Sequence, residues 1–414
     1  MASFSFGAGN AAKLARIPLY ALGRLVTFAV PRSRRWVFGC GAGIADGALE
    51  VWREAEHHGI DAVWLTTTED EAREAARAGI PTLPKMSWRG FWATTRARVV
   101  VVTHGFGDVN PYAVTGAFVA QLWHGIPLKR IGLDAPEMVR SAFLPNSAIM
   151  RRIIAWMYRR SAQRIGLIPA ASHLVRARLE SAFGISDAQI AVTGEPRVDV
   201  LSRDDSETRA RRAREIVRRA APALDGSRRM LLYAPTWRDG QPDPAIPSDD
   251  EWHEVVAVLE RHDATLVIRS HRLGAGSYTP PVATDRVQEL GADLLGDVTP
   301  ALPAFDALIT DYSSLVYDTA LVPLPALFLA PDEAEYAVRR GFYGTYRDVA
   351  GHDVPTTWHA MVPEIDRLLG QDEYRARLAG RARRLSETVH AFHDGGSTRR
   401  VLHEILERIG ETRP

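Results

Sequence analysis

The chain has 414 residues, 46% of them hydrophobic and 24% charged, which excludes a disordered or low-complexity protein and fits two domains of about 150 to 200 residues. Its single cysteine, Cys40, excludes an intrachain disulfide framework and a Cys-rich zinc site, in keeping with a reducing cytoplasm. With 51 basic against 50 acidic residues, a net charge of +1, there is no global field for gripping nucleic acid.

Charge is concentrated locally instead. No acidic residue occurs before Asp46, while Lys13, Arg16, Arg24, Arg32, Arg34 and Arg35 surround an apolar stretch from Ile17 to Val30. That stretch is shorter than the about 20 residues a membrane span requires, and it contains Arg24. Pro18 suits the first position of a short helix, which would put Leu22, Leu25, Val26 and Ala29 on one face. A signal peptide has a similar outline, but no small-residue cleavage site follows the apolar run. Residues 1–36 therefore read as a basic leader lying on an anionic membrane surface, with an ordinary packed first helix as the rival reading.

Beyond the leader, short apolar runs alternate with amphipathic stretches, the pattern of parallel sheets with crossover helices. Strands are predicted at Trp36–Gly39, 61–66, Arg98–Thr103 and Phe118–Trp123, with helices at 46–58 and 69–78. Residues 135–164 mix Met150, Ile153, Ile154, Trp156 and Met157 with Arg151, Arg152, Arg159, Arg160 and Arg164. Such a basic amphipathic helix packs its apolar face inward or lays it on anionic lipid. Strand Ile165–Pro169, helix 172–182 and strand Ile190–Thr193 complete a first domain, 37–205. The arginine-rich stretch 202–229 reads as the interdomain link. A second domain, 225–395, follows, with strands at Met230–Pro235, Thr265–Ser270, Ala307–Thr310 and Pro325–Leu329. Its helices are predicted at 250–261, 313–321, 362–368 and 372–388, and a C-terminal helix occupies 396–414. Two αβ-sandwich domains with a cleft between them are expected, with ligands beyond the carboxyl ends of the strands.

Four polar clusters fall just after predicted strands. They are Gln121-Leu122-Trp123-His124-Gly125-Ile126-Pro127-Leu128-Lys129, Tyr233-Ala234-Pro235-Thr236-Trp237-Arg238-Asp239, Arg269-Ser270-His271 and Thr310-Asp311-Tyr312-Ser313-Ser314. In the last, Ser313 or Ser314 opens a helix, whose N–H groups, dipole and two hydroxyls would cradle a diphosphate. Asp311 and Ser313 acting only as helix caps is the bland alternative. His124 and His271 each end a strand, one per domain, and could meet across the cleft, one taking a proton from an attacking hydroxyl and the other supporting phosphate charge. Arg238 and Arg269 add cations suited to bidentate phosphate contacts.

Taken in order, these clusters resemble the CDP-glycerol glycerophosphotransferase family of teichoic acid primases and polymerases. The strongest stretch is Asp306-Ala307-Leu308-Ile309-Thr310-Asp311-Tyr312-Ser313-Ser314, followed by Asp318, Phe328, Glu335-Tyr336 and Arg340-Gly341-Phe342-Tyr343. The resemblance implies an α/β protein of the GT-B kind, with two Rossmann-like domains facing a central cleft. It implies a CDP-glycerol or related CDP-polyol donor, attack by an acceptor hydroxyl on the phosphate nearest the polyol, and departure of CMP. On the family pattern His124 and His271 are the essential pair, with His124 the expected general base and the exchanged assignment the alternative, and Ser313, Ser314 and the helix behind them hold the donor phosphates; Arg238, Arg269, Thr310 and Asp311 are the further candidates for donor binding. Gly125, Lys129, Arg197 and Asp318 are supporting positions.

The resemblance also implies a lipid-linked acceptor at the cytoplasmic side of the plasma membrane. No residue cluster demands a metal, and a Mg²⁺ ion accompanying the diphosphate is compatible with the sequence. Two departures bear on polyol identity: Glu195 and Val198 stand where the family often carries asparagines, and Gly351–Pro355 lacks a Gly-Pro pair. Little lies beyond the catalytic module, which favours a single-module transferase. A GT-B glycosyltransferase using a nucleotide sugar, and a peripheral membrane-binding protein without turnover, are the competing readings.

Overall fold

The computed structural model describes residues 17–140, 144, 146–238, 243–270 and 278–411. The chain divides into two compact units. One comprises the chain up to Gly125, Ile131–Asp199 and the chain from Asp394; the other comprises Ile126–Arg130 and Val200–His393.

The first unit is built on a five-stranded parallel sheet of β1 (Trp36–Gly39), β2 (Ala62–Thr66), β3 (Thr82–Pro84), β4 (Val99–Val102) and β5 (Phe118–Gln121), in the order β3-β2-β1-β4-β5. The Val-Val-Val-Val run of β4 is buried on both faces, as a central parallel strand requires. On one face Phe38 packs edge-on to Trp52 of helix Asp46–His57, their ring centroids 5.0 Å apart, and stacks 6.0 Å from Trp64. A two-stranded sheet, β6 (Ile168–Ala170) and β7 (Ile190–Val192), adjoins through the Ala120–Leu167 bridge.

The second unit repeats the plan with β8 (Arg229–Ala234), β9 (Ala264–Ile268), β10 (Val287–Glu289), β11 (Ala307–Thr310) and β12 (Ala326–Phe328), in the order β10-β9-β8-β11-β12. Each sheet therefore reverses its strand order once, between β1 and β4 and between β8 and β11. At such a reversal the loops leave in opposite directions and open a crevice at the carboxyl ends.

The predicted strands all form, with ends shifted by up to three residues, the most at Ile165–Pro169, which forms as Ile168–Ala170. The reading missed β3 and β10, each three residues long at a sheet edge, where Pro84 costs no ladder bond. It also missed the helices Trp88–Arg96, Glu333–Arg339 and Tyr346–Ala350. The stretch expected to be a link holds a helix at Ser206–Ala220, capped by Asp205, which accepts from Thr208 N–H. Only Ala213 and Val217 are buried there, too few for an apolar stripe, but Arg, Ala and Glu all favour helix.

The last helix, Ser397–Arg408, belongs to the first unit. Val401, Leu402, Ile405 and Leu406 enter the same apolar cluster as Trp36 and Phe38. Its start is capped from far along the chain. The buried Asp199 carboxylate accepts from the N–H groups of Ser397 (2.9 Å) and Thr398 (2.7 Å) and from the Thr398 hydroxyl (2.7 Å), and Arg400 Nε donates to the Thr193 carbonyl. The Thr193–Asp199 motif thus anchors the C-terminal helix. Asp199→Ala should lower stability by about 1–2 kcal/mol, read from denaturant midpoints; an unchanged midpoint would show that this cap contributes nothing.

Candidate active site

The β8/β11 reversal gathers two of the four predicted clusters. Asp311, at the end of β11, is buried. Its Oδ1 accepts from the N–H of Thr236 (2.8 Å) and of Tyr312 (2.5 Å), and its Oδ2 from Arg238 Nη1 (2.9 Å). Arg238 also grips Asp332 through two parallel bonds of 2.8 Å, and Asp332 accepts from the Tyr312 hydroxyl at 3.0 Å. The guanidinium carbon stands 5.0 Å from the Tyr312 ring centre and 4.8 Å from that of Tyr336. Burial opposes its charge, but the bonds to Asp332 and the field of Asp311 outweigh it and raise the Arg238 pKa. Arg238 and Asp311, expected to meet donor phosphates, are thus committed to each other.

Arg269 is similarly occupied, donating to the carbonyls of Leu290, Leu295 and Gly296. Thr310 is buried and donates to the Ala234 carbonyl at 2.7 Å, and Asp318 is buried in the helix that follows. Ser313 and Ser314 are different. Both are half-buried in the loop; Ser314 stands at the N-cap position of helix Leu315–Leu321 without a side-chain cap bond, and the Ser313 hydroxyl accepts from Leu315 N–H at 3.3 Å. That helix is only two turns long, so hydroxyls and local N–H groups matter more here than a macrodipole.

The second unit also takes up part of the cluster that begins at Gln121. Arg130 N–H donates to the Gly341 carbonyl and Tyr343 N–H to that of Leu128, with Lys129 bridged antiparallel to Phe342. The Lys129 ammonium lies 6.0 Å from the Tyr336 ring centre. The end of one motif, 128–130, therefore pairs with 341–343, far along the chain.

His124 sits in the first unit after β5. Trp123 is held at φ +64°, costly for a bulky residue, and Gly125 at φ +132°, which only glycine adopts readily. This sharp turn leaves His124 exposed. Its ring lies 4.7 Å from that of His104 at an interplanar angle of 13°, and 4.2 Å from Trp123. The surrounding protein, then His104 and Arg197, lower its pKa below the ordinary histidine value, while a hydrogen bond to the Thr103 backbone works the other way. Solvent reaches the ring, and with its pKa below the ordinary histidine value His124 is neutral at physiological pH. Arg197 Nε stands 3.8 Å from Glu195 Oε2 beside it.

His104 was not singled out from sequence, although Thr103-His104-Gly105-Phe106-Gly107-Asp108 directly follows the all-valine strand at the β1/β4 reversal. Its position after a strand was the available signal. His271 and Asp239 lie outside the described residues. Among the described residues no group of three or more His, Cys, Asp or Glu side chains could hold a metal ion.

Two Rossmann-like units, each with a parallel sheet of the same strand order and polar residues at the reversal, define a GT-B class α/β protein. The fold matches the structure of the wall teichoic acid polymerase TagF with a TM-score of 0.75 at 19% identity, covering 97% of this chain and 95% of that one. It also matches S. aureus MnaA bound to UDP with a TM-score of 0.53 at 14% identity, covering 91% and 97%. The model of the CDP-glycerol:poly(glycerophosphate) glycerophosphotransferase family matches residues 43–407, and the chain belongs to that family of enzymes.

Among relatives, it is 26% identical over 337 residues to the teichoic acid glycerol-phosphate transferase of Staphylococcus aureus (strain NCTC 8325 / PS 47), covering 79% of this chain and 81% of that protein. It is 25% identical over 299 residues to the teichoic acid poly(glycerol phosphate) polymerase of Bacillus subtilis (strain 168), covering 71% and 38%. It is 25% identical over 238 residues to the teichoic acid ribitol-phosphate polymerase TarK of the same S. aureus strain, covering 55% and 42%. The chain thus matches less than half the length of both polymerases.

If Arg238 is scaffold, Arg238→Met leaves two carboxylates without their cation and should cost about 3 kcal/mol or more of folding stability. Denaturant unfolding reads this directly; an unchanged midpoint would return Arg238 to the pool of ligand-binding groups.

Proposed function

We propose that this protein transfers a polyol phosphate, glycerol phosphate in the first instance, from a CDP-activated donor to a hydroxyl of a membrane-linked teichoic-acid-like or other cell-surface glycopolymer, releasing CMP. The carrying observation is His124: an exposed imidazole, neutral at physiological pH and positioned by the strand ends around it. Family membership over residues 43–407 supports the donor class, and a TagF variant soaked with CDPG gives a precedent for it. Relatives named for glycerol phosphate and for ribitol phosphate are both 25% identical to the chain, so the glycerol assignment is part of the proposal.

In the proposed reaction the acceptor hydroxyl gives its proton to the free nitrogen of His124 as its oxygen bonds to the phosphorus nearest the polyol. The bond from that phosphorus to the bridging oxygen breaks, and CMP leaves with the electron pair. Ser313 and Ser314 hydrogen-bond the diphosphate, and His271 supplies the second imidazole that supports the charge passing to the leaving group. Lys129 and Arg197 are supporting cations, and Gly125 permits the turn that presents His124.

The membrane part of the proposal rests on helices Ile17–Ala29 and Ala148–Ala162. The first buries Thr27 yet leaves Leu22, Leu25 and Phe28 in solvent, Phe28 being 93% exposed. The second packs Ile154, Tyr158 and Ala162 inward and exposes Ile149, Ile153, Met157 and Trp156, the last 63% exposed, among Arg151, Arg152, Arg159 and Arg160. Exposed apolar groups ringed by arginine are what an anionic bilayer surface attracts. Among the described residues no helix is long and apolar enough to cross a membrane.

A panel of CDP-glycerol, CDP-ribitol and UDP- and GDP-sugars, scored for nucleotide release with a membrane acceptor fraction, tests the chemistry. CMP release from a CDP-polyol is expected, falling by about 10²- to 10⁴-fold in His124→Gln; turnover of nucleotide sugars alone would overturn the reading. Flotation with anionic liposomes should show binding that weakens with salt and in Phe28→Glu/Trp156→Glu; salt-indifferent or absent binding would contradict the surface contact.

A further inference from the structure

His124 is not alone at the carboxyl end of the first sheet. His104, the second residue beyond β4, lies flat against it, with centroids 4.7 Å apart and planes within 13°. Two bonds fix the peptide that carries His104: its N–H (2.6 Å) and that of Thr103 (2.9 Å) both donate to Asp108 Oδ2. The ring is fixed as well. Gly41 N–H, at the end of β1, donates to His104 Nδ1 at 3.2 Å, and Cys40 Sγ stands 3.8 Å from the same nitrogen. An imidazole that accepts at Nδ1 carries its proton, when neutral, on Nε2. Gly39 allows the close packing around it, since a Cβ there would sit 2.2 Å from the Asp108 carbonyl oxygen.

We propose that His104 is a positioning residue for His124: a ring clamped across the β1/β4 reversal that sets the plane of its neighbour and excludes a second proton from the pair. The inference deepens the base role assigned to His124 and rests on that reading.

The electrostatics follow from the geometry. Two stacked imidazoles cannot both be charged cheaply, so they titrate as a coupled pair. Burial lowers the His104 pKa to about 4, and the His104 charge in turn lowers that of His124. Among the described residues, the other titratable or charged groups around the pair include Cys40 and Asp46 near the end of β1, Asp108 with Lys85 beside it after β3, and Arg197 with Glu195 after β7. Burial raises the Asp108 pKa to about 6 against its two N–H bonds, so its compensating charge weakens as pH falls. Removing His104 then lets His124 take the first proton, and its pKa rises.

His104→Asn can keep an acceptor for Gly41 N–H while deleting the ring, and His104→Phe keeps a ring while deleting the acceptor. Histidine ring NMR of the full-length protein, with the His124 signal assigned through His124→Gln, should show His124 neutral to the acid limit of the folded state in wild type. In both variants it should titrate at higher pH. In turnover assays kcat should fall about tenfold to a hundredfold in His104→Asn with donor KM within about twofold, less in His104→Phe, and the acid limb of kcat/KM should move up in pH. An unmoved His124 titration in both variants, or wild-type kcat across the pH range in His104→Asn, would overturn the proposal. If His124→Gln is fully active while the titration still moves, the base reading fails and the pairing stands.

Discussion

Everything at the second unit's reversal depends on one buried cation. Taking a guanidinium out of water costs several kcal/mol unless its donors and the partner carboxylates are all satisfied. Arg238 meets that condition with Asp311, Asp332 and the Thr236 carbonyl, between the rings of Tyr312 and Tyr336. Those groups come from the loops after β8, β11 and β12, so the network forms only when all three are in place. What it displays is the short turn after Asp311, and hence Ser313 and Ser314.

The first unit uses the same device with different groups. Asp108 accepts from the N–H groups of Thr103 and His104 at the end of β4, as Asp311 accepts from those of Thr236 and Tyr312 at the ends of β8 and β11. In each case a buried carboxylate satisfies backbone groups where a strand stops, the place where they would otherwise lack partners. One carboxylate steadies a pair of hydroxyls, the other a stacked pair of imidazoles. The chemical groups on display differ, but both are presented by rigid strand ends, which is what precise positioning requires.

Much of this was legible in the sequence. Strongly apolar strands such as Val99–Val102 and Ala307–Thr310 announce themselves, and the strand-then-polar-cluster pattern located the β8/β11 reversal but not the β1/β4 one. Arg238 shows where the reading ran out: an arginine in a motif looks like a ligand for phosphate, and only its three-dimensional neighbours reveal that its donors are already used. Asp199 is similar, because its partners at Ser397 and Thr398 lie at the far end of the chain. His104 shares with the four clusters only its place just after a strand, and its meaning comes from the ring it lies against.

In the proposed reaction Arg238 and Asp311 build the loop, and the donor is held by Ser313 and Ser314. A complex with CDP-glycerol at atomic detail tests it most directly. Diphosphate oxygens are expected on the hydroxyls or N–H groups of Ser313 and Ser314, with the Arg238 bonds to Asp311 and Asp332 unbroken. Phosphates seated on Arg238, with either carboxylate displaced, would contradict it.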